Sequence, residues 1–593
     1  MSDVHADTTD VVRELRTAQP GIGQAAAVDG SARSHETAGL EVVDVAPARA
    51  AFRRGETWRV RVTVRSDRDR EVNVAVEART PDAATARSSF DTRIAAGEST
   101  VEVDLPGQHA GAGRQLVAEV RDSAADGSAP VRAVGAADVL DDWRADPRYG
   151  FLCDFAPGSE GVEDRVARMA RHHISCVLLY DWAWRHHELL APEEPYADVL
   201  GKPMSLASVE RAIDACHAQG MAALGYATVY AAERDFLDAH PGWGLLDDDG
   251  RPWQLADLFF LMDVRGGSLW SRHMLEQLDR TLDAVDLDGF HLDQYGWPRT
   301  AHLESGERVD VATGFAAFVR AAGDLLIRKR PGGGSIFNNV NAWPLEGMAG
   351  TAEVATYVEV WRPHTDYHDL VQIVARARRS EPGKPVVLAA YAALLSKTDD
   401  PGEAAGGLAL LAAVTLAAGG WPLLVGEGEG VLTGAYYPEH VTPPEPARAA
   451  LASVLDAGVA WRAFLRGEGV ERVADAFVDG QDCELSLDLP WSSRPLPGHV
   501  WVSVVERPGW VAVSLVNLLD ATSARWNRPQ PTPVRREVTL RLPQGVDRSQ
   551  CWVSGTGLPW ERLPVTVGPE GASVRVPLGV WSLVVLRDEG TSG

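Results

Sequence analysis

The chain has 593 residues, a formal net charge of −26 and five cysteines, with 45% hydrophobic and 24% charged residues. At roughly 100–200 residues per domain the length suggests three or four domains, fewer if one is a large barrel, and the composition is that of a globular protein with a normal core. So acidic a surface repels phosphate backbones and anionic lipid, which argues against nucleic acid and membrane as partners, while an odd cysteine count without a C-x-x-C pair argues against a disulfide framework or a zinc site.

Residues 1–38 are rich in Ala, Asp, Gly, Ser and Thr with no sustained period, and read as a flexible tail. They hold no basic segment followed by an apolar one, and no apolar run of roughly 18 residues occurs anywhere, so neither a secretory signal nor a membrane helix is expected. A cytoplasmic location is the expectation. Over 39–139, "TWRVRVTVRS", "EVNVAVEART", "STVEVDLPG" and "RQLVAEVRDS" alternate with period two, the pattern of an immunoglobulin-like β-sandwich.

Between 140 and 460 short apolar runs alternate with helix-length amphipathic stretches. The runs are "GFLCDF" (150–155), "CVLLYD" (176–181), "AALGYAT" (222–228), "GFHLDQY" (289–295), "SIFNNV" (335–340), "VATYVEV" (354–360), "PVVLAAY" (385–391) and "PLLVG" (422–426). Ser205 is placed to cap a helix that stops at Gly220. Eight such runs separated by helices predict a (β/α)8 TIM barrel; a doubly wound open sheet is the alternative, and no G-x-G-x-x-G loop supports it. After 461 short alternating strands return, as in "HVWVSVVER" and "GWVAVSLVNL", predicting a C-terminal all-β sandwich of Greek-key type.

Barrel active sites are built at the C-terminal ends of the strands. There the sequence puts Asp154, Tyr180-Asp181, His291, Asp293 and Gln294, Asn338 and Asn339, Glu359 and Trp361, and Tyr391. Side chains alternate along a strand, so His291 and Asp293 share one face of strand four, and Tyr357 and Glu359 one face of strand six. Eleven of the 19 tryptophans lie between Trp143 and Trp461, five of them just past strand ends. Two carboxylates among indoles suit glycosidic cleavage, which needs a nucleophile or base and an acid. Asp181, followed by Arg185, serves a structural pairing equally well, and Asp288, before Gly289, suits a turn. H-E-x-x-H and G-x-S-x-G motifs are absent.

In order, "YDWAWRHHELL", "GMAALGYATVYAA", "DGFHLDQYG", "FNNVNAW", "TYVEVW", "VVLAAY" and "AAGGWPLLVGEGEGVLTGAYYPEH" resemble glycoside hydrolase family 66, the dextranases and cycloisomaltooligosaccharide glucanotransferases. The resemblance implies a retaining enzyme acting on α-1,6-glucosidic bonds in dextran or isomalto-oligosaccharides. Asp293 falls on its nucleophile and Glu359 on its general acid/base. It also implies that Tyr180, Asp181, Trp182 and His186 line the site, with Asn339, Trp361 and Tyr391 beside them; on that reading His291, Gln294 and Asp181 are expected to hold hydroxyls. Neither metal nor organic cofactor is expected. Glucanotransferases of the family usually carry a carbohydrate-binding module inserted in the barrel, and its absence here favours hydrolysis. A transglycosylase on the same substrates and a non-catalytic sugar-binding protein are the alternatives.

Overall fold

A computed structural model describes residues 39–588 apart from 110, 125–128, 467–468, 473–484, 508, 543–545 and 570. The expected tail over 1–38 lies outside the described residues.

Alternation decides the first unit. Trp58, Val60, Val62 and Val64 are fully buried along the strand Trp58–Ser66, each apolar side chain contributing about 1.5–3 kcal/mol. Arg59 and Arg61, on the other face, meet Glu102 and Asp104 of the neighbouring strand. Antiparallel strands form two sheets. One orders Leu40–Pro47, Trp58–Ser66 and Gly97–Leu105. The other orders Ala84–Ile94, Arg70–Arg79, Gly113–Asp122 and Val131–Asp138. They enclose one apolar core.

The central unit is a row of parallel strands: β1 (Tyr149–Leu152), β2 (Cys176–Leu179), β3 (Ala222–Thr228), β4 (Gly289–Asp293), β5 (Gly334–Asn338), β6 (Glu353–Glu359), β7 (Val386–Ala389) and β8 (Trp421–Pro422). Each predicted run begins within one residue of a strand. Neighbours in the row are neighbours in sequence. β8 pairs β7, and β9 (Val425–Gly426), immediately after it, pairs Phe151 of β1. The chain from 421 to 426 thus bonds both edges of the row. At the N-terminal end β4 and β5 approach so closely that a side chain at Gly289 would run into the Gly334 carbonyl.

Among the described residues the α-helices of six or more residues are α1 (Val162–Arg171), α2 (Leu206–Ala218), α3 (Arg234–Ala239), α4 (Leu269–Ala284), α5 (Val311–Lys329), α6 (Tyr367–Ser380), α7 (Pro401–Ala417) and α8 (Glu445–Ala460). The Ser205 hydroxyl accepts the Ser208 N–H and caps α2. One crossover departs from the expected repeat. Between β5 and β6 the chain makes only two 3-10 turns, Val340–Ala342 and Leu345–Met348. Pro344, Gly347 and Gly350 fall in this short span, and such residues disfavour a continuous helix. No helix among the described residues is long and apolar enough to cross a membrane. The apolar α7 is instead buried on every side, packed against α8 and the C-terminal unit.

That last unit pairs a larger sheet containing Val500–Arg507, Trp510–Asn517, Trp581–Asp588, Val546–Gly555 and Leu558–Arg562 with a smaller one containing Arg536–Arg541 and Gly571–Leu578. Its Trp526 indole donates to His364 O at 3.1 Å, which places this loop just beyond Trp361. At the opposite end of the strands, Arg148 is fully buried between Asp138 (2.7 Å) and Asp146 (3.0 Å). Arg462 and Arg466 close the same cluster, tying the first sandwich to the central sheet.

Candidate active site

Register fixes which side chains meet. Tyr226 of β3 lies opposite His291 of β4, and Thr228 opposite Asp293. His291 lies opposite Ile336 of β5, and Asn338 opposite Tyr357 of β6. Alternation then gathers Tyr226, Asp293, Asn338 and Glu359 on one face at the C-terminal ends.

The Asn338 amide nitrogen donates to both carboxylates, 2.8 Å to Asp293 Oδ1 and 3.0 Å to Glu359 Oε2. An sp2 amide sends its two N–H bonds about 120° apart, and donors of such lengths reach oxygens about 5 Å apart, the spacing of a retaining pair and short of the roughly 6.5–9.5 Å of an inverting one. The other oxygen of each carboxylate accepts a phenol: Tyr226 donates to Asp293 Oδ2 at 2.7 Å, and Tyr391 to Glu359 Oε1 at 2.6 Å. Burial, and next the Glu359 charge, push the Asp293 carboxyl up to about 7; the hydrogen bonds from Asn338 and Tyr226 pull the other way. That titration belongs to the pair rather than to one residue. Burial and the carboxylates push Tyr226 and Tyr391 well above the usual phenol range, so both stay protonated donors.

The sequence pattern of glycosyl hydrolase family 66 matches residues 49–584. The chain belongs to glycosyl hydrolase family 66. That places it among enzymes of the glycoside hydrolase type. A cycloisomaltooligosaccharide glucanotransferase of Niallia circulans is 26% identical over 278 residues, 43% of this chain and 29% of that protein. A second from the same organism is 28% identical over 277 residues, with the same shares. The match thus spans less than a third of the length of these curated relatives. A crystal structure of a Paenibacillus sp. cycloisomaltooligosaccharide glucanotransferase complexed with cycloisomaltoheptaose superposes with a TM-score of 0.82 at 17% identity, covering 92% of this chain and 99% of that one. The fold is shared.

Several residues predicted for this family 66 site surround the carboxylates. Trp361, half-buried, sets its ring edge-on to Tyr391 at 5.9 Å. Tyr180 stacks on Tyr437 at 4.2 Å and tilts against Tyr226 at 5.5 Å. Asp181 follows β2 with φ 49°, a left-handed conformation that costs a non-glycine residue energy. Burial, then the Asp198 charge, push its carboxyl up to about 7, with Asp293 adding to the repulsion. His186 stands one ring further out, on Phe259 at 4.2 Å and 6.3 Å from Tyr226; burial pushes it down to about 4, so its imidazole is neutral.

Four predicted residues are placed elsewhere. Trp182 is fully buried, and its indole donates to Tyr226 O at 3.1 Å; it braces β3 and offers no face to a sugar. Gln294 points away from Asp293 and spends its amide on the Asn338 and Trp343 carbonyls and the Gly296 N–H. Asn339 is fully buried and donates to Phe337 O and Tyr357 O. His291 lies one layer below the carboxylates, its Nδ1 2.9 Å from the Tyr149 hydroxyl and its ring edge-on to Tyr357. Burial pushes it down to about 3, so it stays neutral.

Sequence reasoning names Asn338 at its strand end without giving it a role, and passes over Tyr226 and Tyr437. Parity was a usable signal for the first. With β5 in register with β4, Asn338 continues the face of His291 and Asp293, and Asn339 does not. Tyr226 shares that parity in β3. Tyr437 comes from the loop after β9, where no strand rule applies.

Proposed function

We infer that this chain is a retaining glycoside hydrolase cleaving α-1,6-glucosidic bonds in isomalto-oligosaccharides or dextran. One observation carries the reading: two carboxylates share one amide donor at the spacing that direct attack needs, rather than the wider gap that admits a water between carboxylate and sugar. Asp293, ionised, attacks the anomeric carbon while Glu359 gives its proton to the leaving oxygen. Glu359 then takes a proton from water, which attacks the glycosyl ester and frees Asp293. Tyr226 and Tyr391 hold the outer oxygens so that each inner oxygen faces the sugar.

The sheet is read as the predicted (β/α)8 barrel, its eighth strand split into β8 and β9 and its fifth helix replaced by the two turns; the pairing of 421–426 with both edges supports this. Tyr180 and Trp361, both half-buried, provide aromatic faces for sugar rings, with buried Tyr437 backing Tyr180, and Asp181 a hydroxyl acceptor. Support for the substrate comes from the Paenibacillus sp. relative of like fold, complexed with cycloisomaltoheptaose.

Transfer to a sugar hydroxyl is the second reading, favoured by the glucanotransferase names of the relatives. Hydrolysis is preferred because the described crossovers of the central sheet carry loops, helices and two- or three-stranded ribbons, and no further sandwich. A panel of α-1,2-, α-1,3-, α-1,4- and α-1,6-linked oligosaccharides with product analysis tests both choices. Turnover confined to the α-1,6 members with linear glucose oligomers as products is expected. Cyclic or elongated products would replace hydrolysis by transfer, and activity only on other linkages would refute the substrate.

A further inference from the structure

Asn338 is not itself a reacting group, yet it touches both carboxylates that are. It is 2% exposed, and its amide nitrogen reaches Asp293 and Glu359 together. Its backbone carbonyl is held in turn: the Gln294 amide donates to Asn338 O at 2.9 Å and to Trp343 O at 3.3 Å, pinning the end of β5 to the end of β4. The Asn338 side-chain oxygen has no hydrogen-bond partner and is buried. A buried amide that leaves its acceptor unsatisfied gives up roughly 1–3 kcal/mol that a better-placed polar group would keep. This orientation is therefore maintained for what the nitrogen does.

A donor shared between two carboxylates responds to which of them carries charge. In the free enzyme each oxygen accepts one of its two N–H bonds. Once Asp293 has become a glycosyl ester, its oxygen is a far weaker acceptor, and hydrogen bonds to charged groups are the stronger ones. The amide then serves chiefly Glu359 as that residue turns from acid to base. We propose that Asn338 is a positioning residue for both half-reactions, holding nucleophile and acid/base at one spacing through its two N–H bonds, of which the one to Glu359 becomes the stronger as the ester forms. This rests on the reading of Asp293 and Glu359 as the reacting pair.

The proposal separates from mere packing by pH. Asn338 stabilises the ionised carboxyl of Asp293, so without it the pair holds its protons to higher pH. In Asn338→Ala, with an aryl α-isomaltoside as substrate, kcat is expected to fall about 100-fold, the cost of a small misplacement at the reacting centre, with KM within about threefold of wild type. Both limbs of the kcat/KM profile are expected to move upward in pH. α-Isomaltosyl fluoride, whose leaving group needs no proton, is expected to remain slow, because the second half-reaction also uses the amide. Asn338→Asp keeps the shape of the side chain, lacks its N–H pair, and is expected to be as impaired at neutral pH; it carries the test if the alanine variant does not fold. An unmoved profile, full rescue by the fluoride, or an aspartate variant near wild-type rate would overturn the proposal while Asp293→Ala remains dead. Should Asp293→Ala keep wild-type turnover, the reacting pair itself is wrong and the proposal goes with it.

Discussion

Tyr391 donates its hydroxyl to Glu359 Oε1 at 2.6 Å from the strand next door, and Trp361 closes over the edge of that phenol. The contact fixes one oxygen of Glu359, while the other accepts Asn338 and, in the proposed mechanism, faces the sugar. A hydrogen bond to a charged group contributes about 1.5–3 kcal/mol. Tyr391→Phe is therefore expected to lower kcat by roughly 10–100-fold, with little change in KM. Steady-state kinetics on isomaltotriose measure this; an unaltered kcat would mean that Glu359 is oriented by something else.

The pair should also set the pH profile. The Asp293 carboxyl is pushed up to about 7 by burial and by the charge on Glu359, so loss of the last proton from the pair falls near neutrality. The proposed mechanism requires one proton on the pair, and kcat/KM is expected to decline as pH rises through about 7. Rates across pH 4–10 check it, and a plateau continuing to pH 9 would contradict it.

Stability gives an independent view of a second acid. Glu353, at the start of β6, is pushed up to about 8 by burial, with Lys384 at 3.7 Å only partly compensating. A carboxyl whose folded pKa lies above its unfolded value adds stability at low pH and loses it as pH rises toward that folded value. Wild type should thus lose this contribution between roughly pH 4.5 and 8, and Glu353→Gln should not. The difference in melting temperature, variant minus wild type, is expected to grow across that window in scanning calorimetry.

Arg148 joins two units of the fold. The Arg148 side chain is wholly buried between Asp138 and Asp146, and Arg148→Met takes one arginine from each, leaving Arg462 on Asp138 and Arg466 on Asp146. Breaking a buried pair from one side costs about 3–5 kcal/mol. A markedly lower denaturation midpoint is expected. The contacts of the distant Asp293 and Glu359 are untouched, so the rate at low temperature should hold. An unchanged midpoint would show that Arg462 and Arg466 suffice.

The strands were legible because their interior is apolar on both faces, so a plain run such as "AALGYAT" marks β3 to the residue. Asp293 and Glu359 were legible because each ends such a run on a definite parity. Choosing Asn338 over Asn339 needed the register between strands, which depends on two distant segments at once. Trp182 and Gln294 follow the last paired residue of their strands, where alternation no longer says which way a side chain turns. The absent helix after β5 was written in Pro344, Gly347 and Gly350. Tyr437 approaches from a 3-10 turn outside the strands, and only the folded chain brings it to Tyr180.

Covalent trapping decides whether Asp293 is the nucleophile. Glu359→Gln should form the ester from α-isomaltosyl fluoride, which needs no acid, and then lack the base to hydrolyse it. Mass spectrometry of the digested protein is predicted to find one isomaltosyl group on the peptide bearing Asp293, and none in the Asp293→Ala, Glu359→Gln double variant. A label on another residue, or turnover of the fluoride with inversion and no label at all, would contradict the account.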